Sequence, residues 1–109
     1  MVASAVAANG SLHVFRADGQ NVTYTWQPSG KTAWNGGQKG KSVAAFTQFA
    51  KAPAKITGIT ADVASNGTLH VFVDCDNGST YYAFQKKGET AWSGAQKGKT
   101  IAGLTLFAS

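Results

Sequence analysis

The sequence predicts an all-β fold of two four-stranded antiparallel sheets, the first within residues 1–53 and the second within residues 54–109. One observation is an internal repeat: VAANGSLHVF returns as VASNGTLHVF, and KTAWNGGQKGKSVAAFTQFA returns as ETAWSGAQKGKTIAGLTLFA. A second is that the segments between the turns alternate apolar and polar residues, as half-buried strands do, and none has helical periodicity. The chain is therefore two copies of one β unit.

The first copy predicts four strands, at residues 2–8, 11–16, 22–27 and 42–50. The pair Asn9 and Gly10 is a strong hairpin signal between the first two strands, and Asp18 with Gly19 marks the next turn. The third strand is rich in Thr, Tyr and Trp, which favour a half-buried strand. The fourth follows the long connection PSGKTAWNGGQKG and again alternates with aromatic residues.

The second copy predicts strands at residues 59–64, 68–73, 80–85 and 100–107. The offset between the copies grows from 57 residues at Phe15 and Phe72 to 58 residues at Trp34 and Trp92. The extra residue falls where RADGQN becomes VDCDNGS, in a hairpin turn that can lengthen without disturbing its strands. Each predicted strand of the first copy therefore has an equivalent strand in the second copy.

A four-stranded unit of about fifty residues that repeats is typical of a β-propeller blade. Two blades in one chain leave an outer face and sheet edges uncovered. Identical chains that meet head to tail in a closed ring cover these surfaces. We therefore expect a homo-oligomer, with a trimer of six blades favoured. A tetramer of eight blades and a monomeric two-sheet sandwich are the alternatives.

The composition is that of a folded domain with a basic surface. The chain has 109 residues, ten Lys or Arg against five Asp or Glu, and a net charge of +5, which permits an anionic partner without requiring one. Cys75 is the only cysteine, so we expect neither an intrachain disulfide nor a zinc site. We recognise no signal peptide and no segment long enough to span a bilayer, and expect a soluble protein.

The loop WNGGQKGKS, repeated as WSGAQKGKT, is similar to a phosphate-binding loop but departs from it. A P-loop has four residues between its first glycine and the Gly-Lys-Ser. Here three residues separate Gly36 from Gly40, three separate Gly94 from Gly98, and a strand-like segment follows in place of a helix. We expect a glycine-rich turn with solvated lysines and no nucleotide cofactor.

Catalysis and metal binding have little support in the sequence. The acidic residues lie mostly in turns and form no recurring carboxylate pair of the kind that a glycosidase needs. The segment DCDNG lacks the bidentate glutamate of a calcium loop, and the two histidines have no partners at metal-ligand spacing. We expect a protein without enzymatic activity, metal or cofactor.

Three short motifs recur in both copies: N-G-x-L-x-V-F, a strand that ends in W-Q or F-Q, and W-x-G. They are NGSLHVF, TWQ and WNG in the first copy, and NGTLHVF, AFQ and WSG in the second. This pattern resembles the blade of the Photorhabdus-type propeller lectins and of the Aleuria-type fucose lectins, and it covers nearly the whole chain. The resemblance implies a sugar-binding protein whose small relatives have two blades per chain and assemble as trimers.

The sugar clamp of the Aleuria-type lectins is only partly matched. The resemblance implies an arginine from the second strand, a glutamate from the third, and an aromatic ring against the sugar. His13 and His70 stand at the arginine position, and Tyr24 and Tyr82 lie near the glutamate position. Because these residues differ from the clamp, either the ligand is different or the pocket is built from other residues, and a fucosylated glycan is one candidate ligand.

The residue types themselves indicate a sugar site in the repeated tryptophan loops. An indole covers the apolar face of a pyranose, and the hydroxyls need polar partners. Trp34 and Trp92 supply the rings, and four polar residues follow them closely: Gln38, Lys39, Gln96 and Lys97. The alternative is that both tryptophans plug the seam between blades, since large aromatic residues dominate protein cores.

The paired histidines and tyrosines also have two interpretations. His13 and His70 either contact the ligand or are hydrogen-bonded structural residues on their strands. Tyr24 and Tyr82 either reach the ligand or pack across strands with the hydroxyl at a rim. Trp26 becomes Phe84 in the second copy, so that position requires bulk.

Two function classes therefore remain, with a third possibility beside them. The first is a non-enzymatic lectin whose weak sites act together on one ring. The second is a basic module that binds a polyanion, nucleic acid being the less favoured form, through Lys31, Lys39, Lys41, Lys97 and Lys99. The third is a fragment or engineered assembly unit without a ligand.

Overall fold

The computed structural model describes residues 1–35, 46–89, 91–93 and 103–108, and these residues form eight strands and no helix. The prediction of an all-β fold with two four-stranded antiparallel sheets is confirmed. Sheet 1 contains β1 (Val2–Val6), β2 (Leu12–Asp18), β3 (Asn21–Gln27) and β4 (Thr47–Lys51). Sheet 2 contains β5 (Ile56–Val63), β6 (Leu69–Cys75), β7 (Thr80–Gln85) and β8 (Thr105–Ala108). In both sheets the strands lie in chain order.

The strand ends differ from the predicted ones by a few residues. β1 stops at Val6 because the Ala7 N–H already bonds to the Ser11 carbonyl and closes the hairpin turn. β5 begins at Ile56, earlier than predicted, because the Ile56 N–H donates to the carbonyl of Gly19 at 2.8 Å and ties the link to sheet 1. The predicted starts of β4 and β8, at residues 42–45 and 100–102, lie outside the described residues.

Strand register brings histidine and aromatic side chains together on one face of each sheet. In sheet 1, His13 lies opposite Trp26 and Phe15 opposite Tyr24 on neighbouring strands, and successive residues of a strand point to opposite faces. Sheet 2 repeats the arrangement. We call these the aromatic faces: His13, Phe15, Tyr24, Trp26 and Phe49 in sheet 1, and His70, Phe72, Tyr82, Phe84 and Phe107 in sheet 2.

One core lies between the two sheets, and the sheets contribute different faces to it. Sheet 1 contributes its aromatic face, with Phe15 and Phe49 fully buried. Sheet 2 contributes the opposite face, with Leu69, Val71 and Val73 fully buried. The two aromatic faces therefore point in the same direction along the stack, so the aromatic face of sheet 2 points away from the core.

Candidate ligand cleft

A cleft of about 390 Å³ opens between the sheets at the end where their hairpin turns lie. Its inner wall is the aromatic face of sheet 1, with His13, Tyr24 and Trp26, and Trp92 of the second copy closes one side. Asn9 and the turn of Lys86, Lys87 and Glu89 form its rim. Clefts that bind small ligands generally have volumes of about 300–1,000 Å³ and a mainly apolar lining with a few polar groups.

Two tight turns set the rim of the cleft. The Asn9 side-chain oxygen accepts from the Ser11 N–H at 2.9 Å, which orders the first turn. On the other side the Glu89 N–H donates to the Lys86 carbonyl at 3.1 Å. Gly67 has a φ of +85°, and a Cβ there would lie 2.8 Å from the Lys87 side chain. The absence of a side chain at Gly67 therefore lets the Lys87 stem cross that turn.

Three rings form the wall of the cleft. The His13 and Trp26 rings stack at 6.4 Å with 26° between their planes, and the Tyr24 and Trp26 rings lie 5.2 Å apart. Tyr24 is buried whereas Trp26 is only half-buried. Part of the indole of Trp26 is therefore open to a ligand in the cleft.

His13 is a neutral donor or acceptor site in this wall at pH 7. The side chain is only 8% exposed, and desolvation by burial lowers its pKa from 6.5. Its Nδ1 is buried, and the described residues offer that atom no hydrogen-bond partner. The Nδ1 of His70 is likewise buried without a partner in the described part of the chain.

Trp92 belongs to a loop of the second copy but packs on the first sheet. The loop is tied to β7, because the Ser93 N–H donates to the Phe84 carbonyl and the Phe84 N–H donates to Ser93 Oγ. The indole is 4% exposed and stands edge-on to Phe15 at 5.9 Å and to Phe49 at 4.7 Å. Trp92 therefore joins the two sheets while one side of it borders the cleft.

Trp34 has the same local anchor and no such packing. The Asn35 N–H donates to the Trp26 carbonyl at 2.8 Å, as Ser93 does to Phe84 in the second copy. The Trp34 side chain is half-buried. In the described ranges no aromatic ring stacks or stands edge-on against it.

The structure brings some of the sequence-predicted site residues together and separates others. His13, Tyr24 and Trp92 line the cleft, whereas His70 and Tyr82 lie on the aromatic face of sheet 2. Sequence reasoning missed the contribution of Trp26, Asn9, Lys86, Lys87 and Glu89. The predicted polar partners Gln38, Lys39, Gln96 and Lys97 lie outside the described residues.

The described part of the chain contains no group of three or more His, Cys, Asp or Glu side chains that could hold a metal ion. In the same residues no helix has the length and apolar character needed to cross a membrane. No protein-family model matches the chain, and no curated protein is significantly similar to it.

Proposed function

We propose that this chain is a non-enzymatic, multivalent lectin. The observation that supports this proposal is the cleft between the sheets, where the half-open indole of Trp26 meets a polar rim. The C–H groups of a pyranose face pack on an indole, and the sugar hydroxyls require donors and acceptors at its edge. Asn9 and Glu89 can accept, and Lys86 and Lys87 can donate. A sugar is therefore the ligand class that uses both features of the cleft.

The repeat supports several equivalent clefts in one assembly. His70, Tyr82 and Phe84 are the repeat equivalents of His13, Tyr24 and Trp26, and in the described part of the chain they are only half-buried. Head-to-tail closure of identical copies would cover their face and create a second cleft at each junction. We propose a trimer of six blades. Several weak sites on one ring give an avidity that a single site lacks.

The experiment that tests the proposal is a glycan array followed by calorimetry with the best saccharide. We expect a defined sugar preference, and we expect Trp26→Leu to weaken binding because it removes the flat ring while keeping an apolar side chain. Gln48→Leu, at an exposed position of β4, is the matched control and leaves binding unchanged. Absence of any retained glycan would contradict the lectin proposal and favour an assembly unit without a ligand.

A polyanion is the second candidate ligand, because Lys86 and Lys87 lie at the cleft rim in a chain of net charge +5. The dependence of binding affinity on ionic strength distinguishes the two candidate ligands. Contacts from several lysines to phosphate or sulfate groups make affinity fall steeply as ionic strength rises. Binding of a neutral sugar changes little with salt. A steep salt dependence together with no sugar preference would favour the polyanion.

A further inference from the structure

The aromatic face of sheet 2 reproduces the packed face of sheet 1 ring by ring. The Phe72 and Phe107 rings lie 5.1 Å apart at 74°, as Phe15 and Phe49 lie 5.0 Å apart at 65°. The stacked pairs also match, because Phe72 lies 6.0 Å from Tyr82 and Phe15 lies 6.1 Å from its own partner. The face of sheet 2 therefore already has the geometry that receives a tryptophan on sheet 1.

Among the described residues, no ring on the aromatic face of sheet 2 takes the place that Trp92 has on sheet 1. Phe15 and Phe49 are fully buried beneath Trp92 and the strands of sheet 2. Their equivalents are open: Phe107 is 58% exposed and Phe72 is half-buried. An exposed aromatic face of this kind is typical of an interaction surface.

Trp34 is the repeat equivalent of Trp92, and within the described residues no aromatic ring packs against it. We propose that Trp34 of one copy of this chain packs against Phe72 and Phe107 of a second copy, as Trp92 packs against Phe15 and Phe49 within the chain. This contact rests on the closed oligomer of identical copies proposed above, but not on sugar binding. It makes Trp34 an assembly residue.

The outer face of sheet 1 is the repeat equivalent of the face that sheet 2 contributes to the core. Val2 and Val6 are 63% and 57% exposed, and their repeat equivalents are Ile59 and Val63, which pack against the core between the sheets. The contact joins two different faces, the outer face of sheet 1 and the aromatic face of sheet 2. Each copy can therefore use one face to contact one neighbour and the other face to contact the next. Such a head-to-tail contact builds a ring when its rotation closes.

The aromatic face of sheet 2 and the outer face of sheet 1 carry opposite charges. These charges lie at positions whose repeat equivalents in the core between the sheets are apolar. Ala17 of sheet 1 and Val73 of sheet 2 are both buried in the core. Their repeat equivalents are Asp74, exposed on the aromatic face of sheet 2, and Arg16, exposed on the outer face of sheet 1. The Arg16 guanidinium lies 4.2 Å from the Phe46 ring centroid, which holds it at that face. An acid and a base thus replace two apolar residues, as expected where both faces meet water before the copies join.

The test is the mass of the chain in solution as a function of concentration, by sedimentation and native mass spectrometry. We expect a closed oligomer for the wild type. Trp34→Ala and Phe107→Asp should each raise the dissociation constant at least about 30-fold, the effect of losing an aromatic hot spot. Ser65→Ala, at an exposed residue of the turn between β5 and β6, is the control and leaves the mass unchanged. Circular dichroism checks that each variant keeps its strands.

A charge exchange provides the second arm. Arg16→Glu and Asp74→Arg should each weaken the oligomer, and the double variant should recover it because opposite charges face each other again. A monomeric wild type at all concentrations, or Trp34→Ala and Phe107→Asp variants that assemble like the wild type, would overturn the proposal. The mass needs no sugar, so an oligomer that depends on Trp34 but binds no glycan would contradict the lectin proposal alone.

Discussion

The indole of Trp92 stands edge-on to the ring of Phe49, with centroids 4.7 Å apart and ring planes at 88°. Edge-to-face pairs at this separation are favourable beyond the area they bury. Since Trp92 is tied to β7 and Phe49 belongs to β4, this contact joins the two repeats across their shared core. The tryptophan loop is therefore part of what holds the sheets together.

Trp92→Ala should lower the free energy of unfolding by about 3–5 kcal/mol, because it empties a packed site between two phenylalanines. Denaturant unfolding measures the loss, and Trp92→Phe, which keeps an aromatic ring, should lose less. A Trp92→Ala protein of unchanged stability that no longer binds sugar would instead make Trp92 mainly a ligand contact.

Gly10→Ala should cost more stability than Gly78→Ala. Both glycines have a positive φ, +87° and +83°, so both variants carry a backbone penalty of about 1–2 kcal/mol. Only Gly10 has a close neighbour, because a Cβ there would meet Ser29 Cβ at 2.9 Å, whereas Gly78 faces open space. Thermal unfolding of the two variants compares them. Equal losses would show that the turn shifts freely away from Ser29.

The free energy of unfolding should fall as the pH is lowered from about 7 to about 5. Burial lowers the pKa of His13 from 6.5 in the folded chain, so the unfolded chain takes up the proton more readily in the range below 6.5. The contribution of His13 to the free energy of unfolding is fully present above pH 6.5. It is lost as the pH falls from there through the lowered pKa of the folded chain. His13→Gln should flatten the dependence measured by denaturant unfolding. An unchanged slope in that variant would assign the pH dependence to other groups.

The Cys75 thiol should react slowly with a disulfide reagent in the native protein and rapidly in denaturant. Burial raises the pKa of this thiol, a backbone hydrogen bond of Ala54 lowers it, and the nearby Asp76 and Asp74 raise it again. The reactive form is the thiolate, which a raised pKa disfavours. Rapid native labelling without loss of structure would mean that the link at residues 52–55 opens readily.

The number of copies in the proposed ring can be read from a mixture of Arg16→Glu and Asp74→Arg chains. Each variant alone places like charges at its junctions, whereas alternating copies place opposite charges at every junction. A closed ring in which the two variants alternate needs an even number of copies. The proposed trimer must keep at least one like-charged junction, so mixing should recover it incompletely. Full recovery in native mass spectrometry would indicate a tetramer of eight blades.

Local features of the chain were predictable because they depend on neighbouring residues alone. The turn at Asn9 and Gly10 and the alternation along β2 and β6 identify strands without any tertiary information. The cleft was only partly predictable. Trp26 lies next to His13 through strand register, but Lys87 reaches the same cleft from the other repeat. Contacts between repeats have no signature in local sequence.

The sequence by itself determined that two equivalent four-stranded sheets form, because repeated turns and period-two alternation specify strands and their order. Only the tertiary structure decided which face of each sheet is covered. Both faces of sheet 2 are rich in large apolar side chains, so alternation alone cannot choose between them. Packing put Val71 against sheet 1 and left Phe72 facing outward, and that choice defines both the cleft and the open aromatic face.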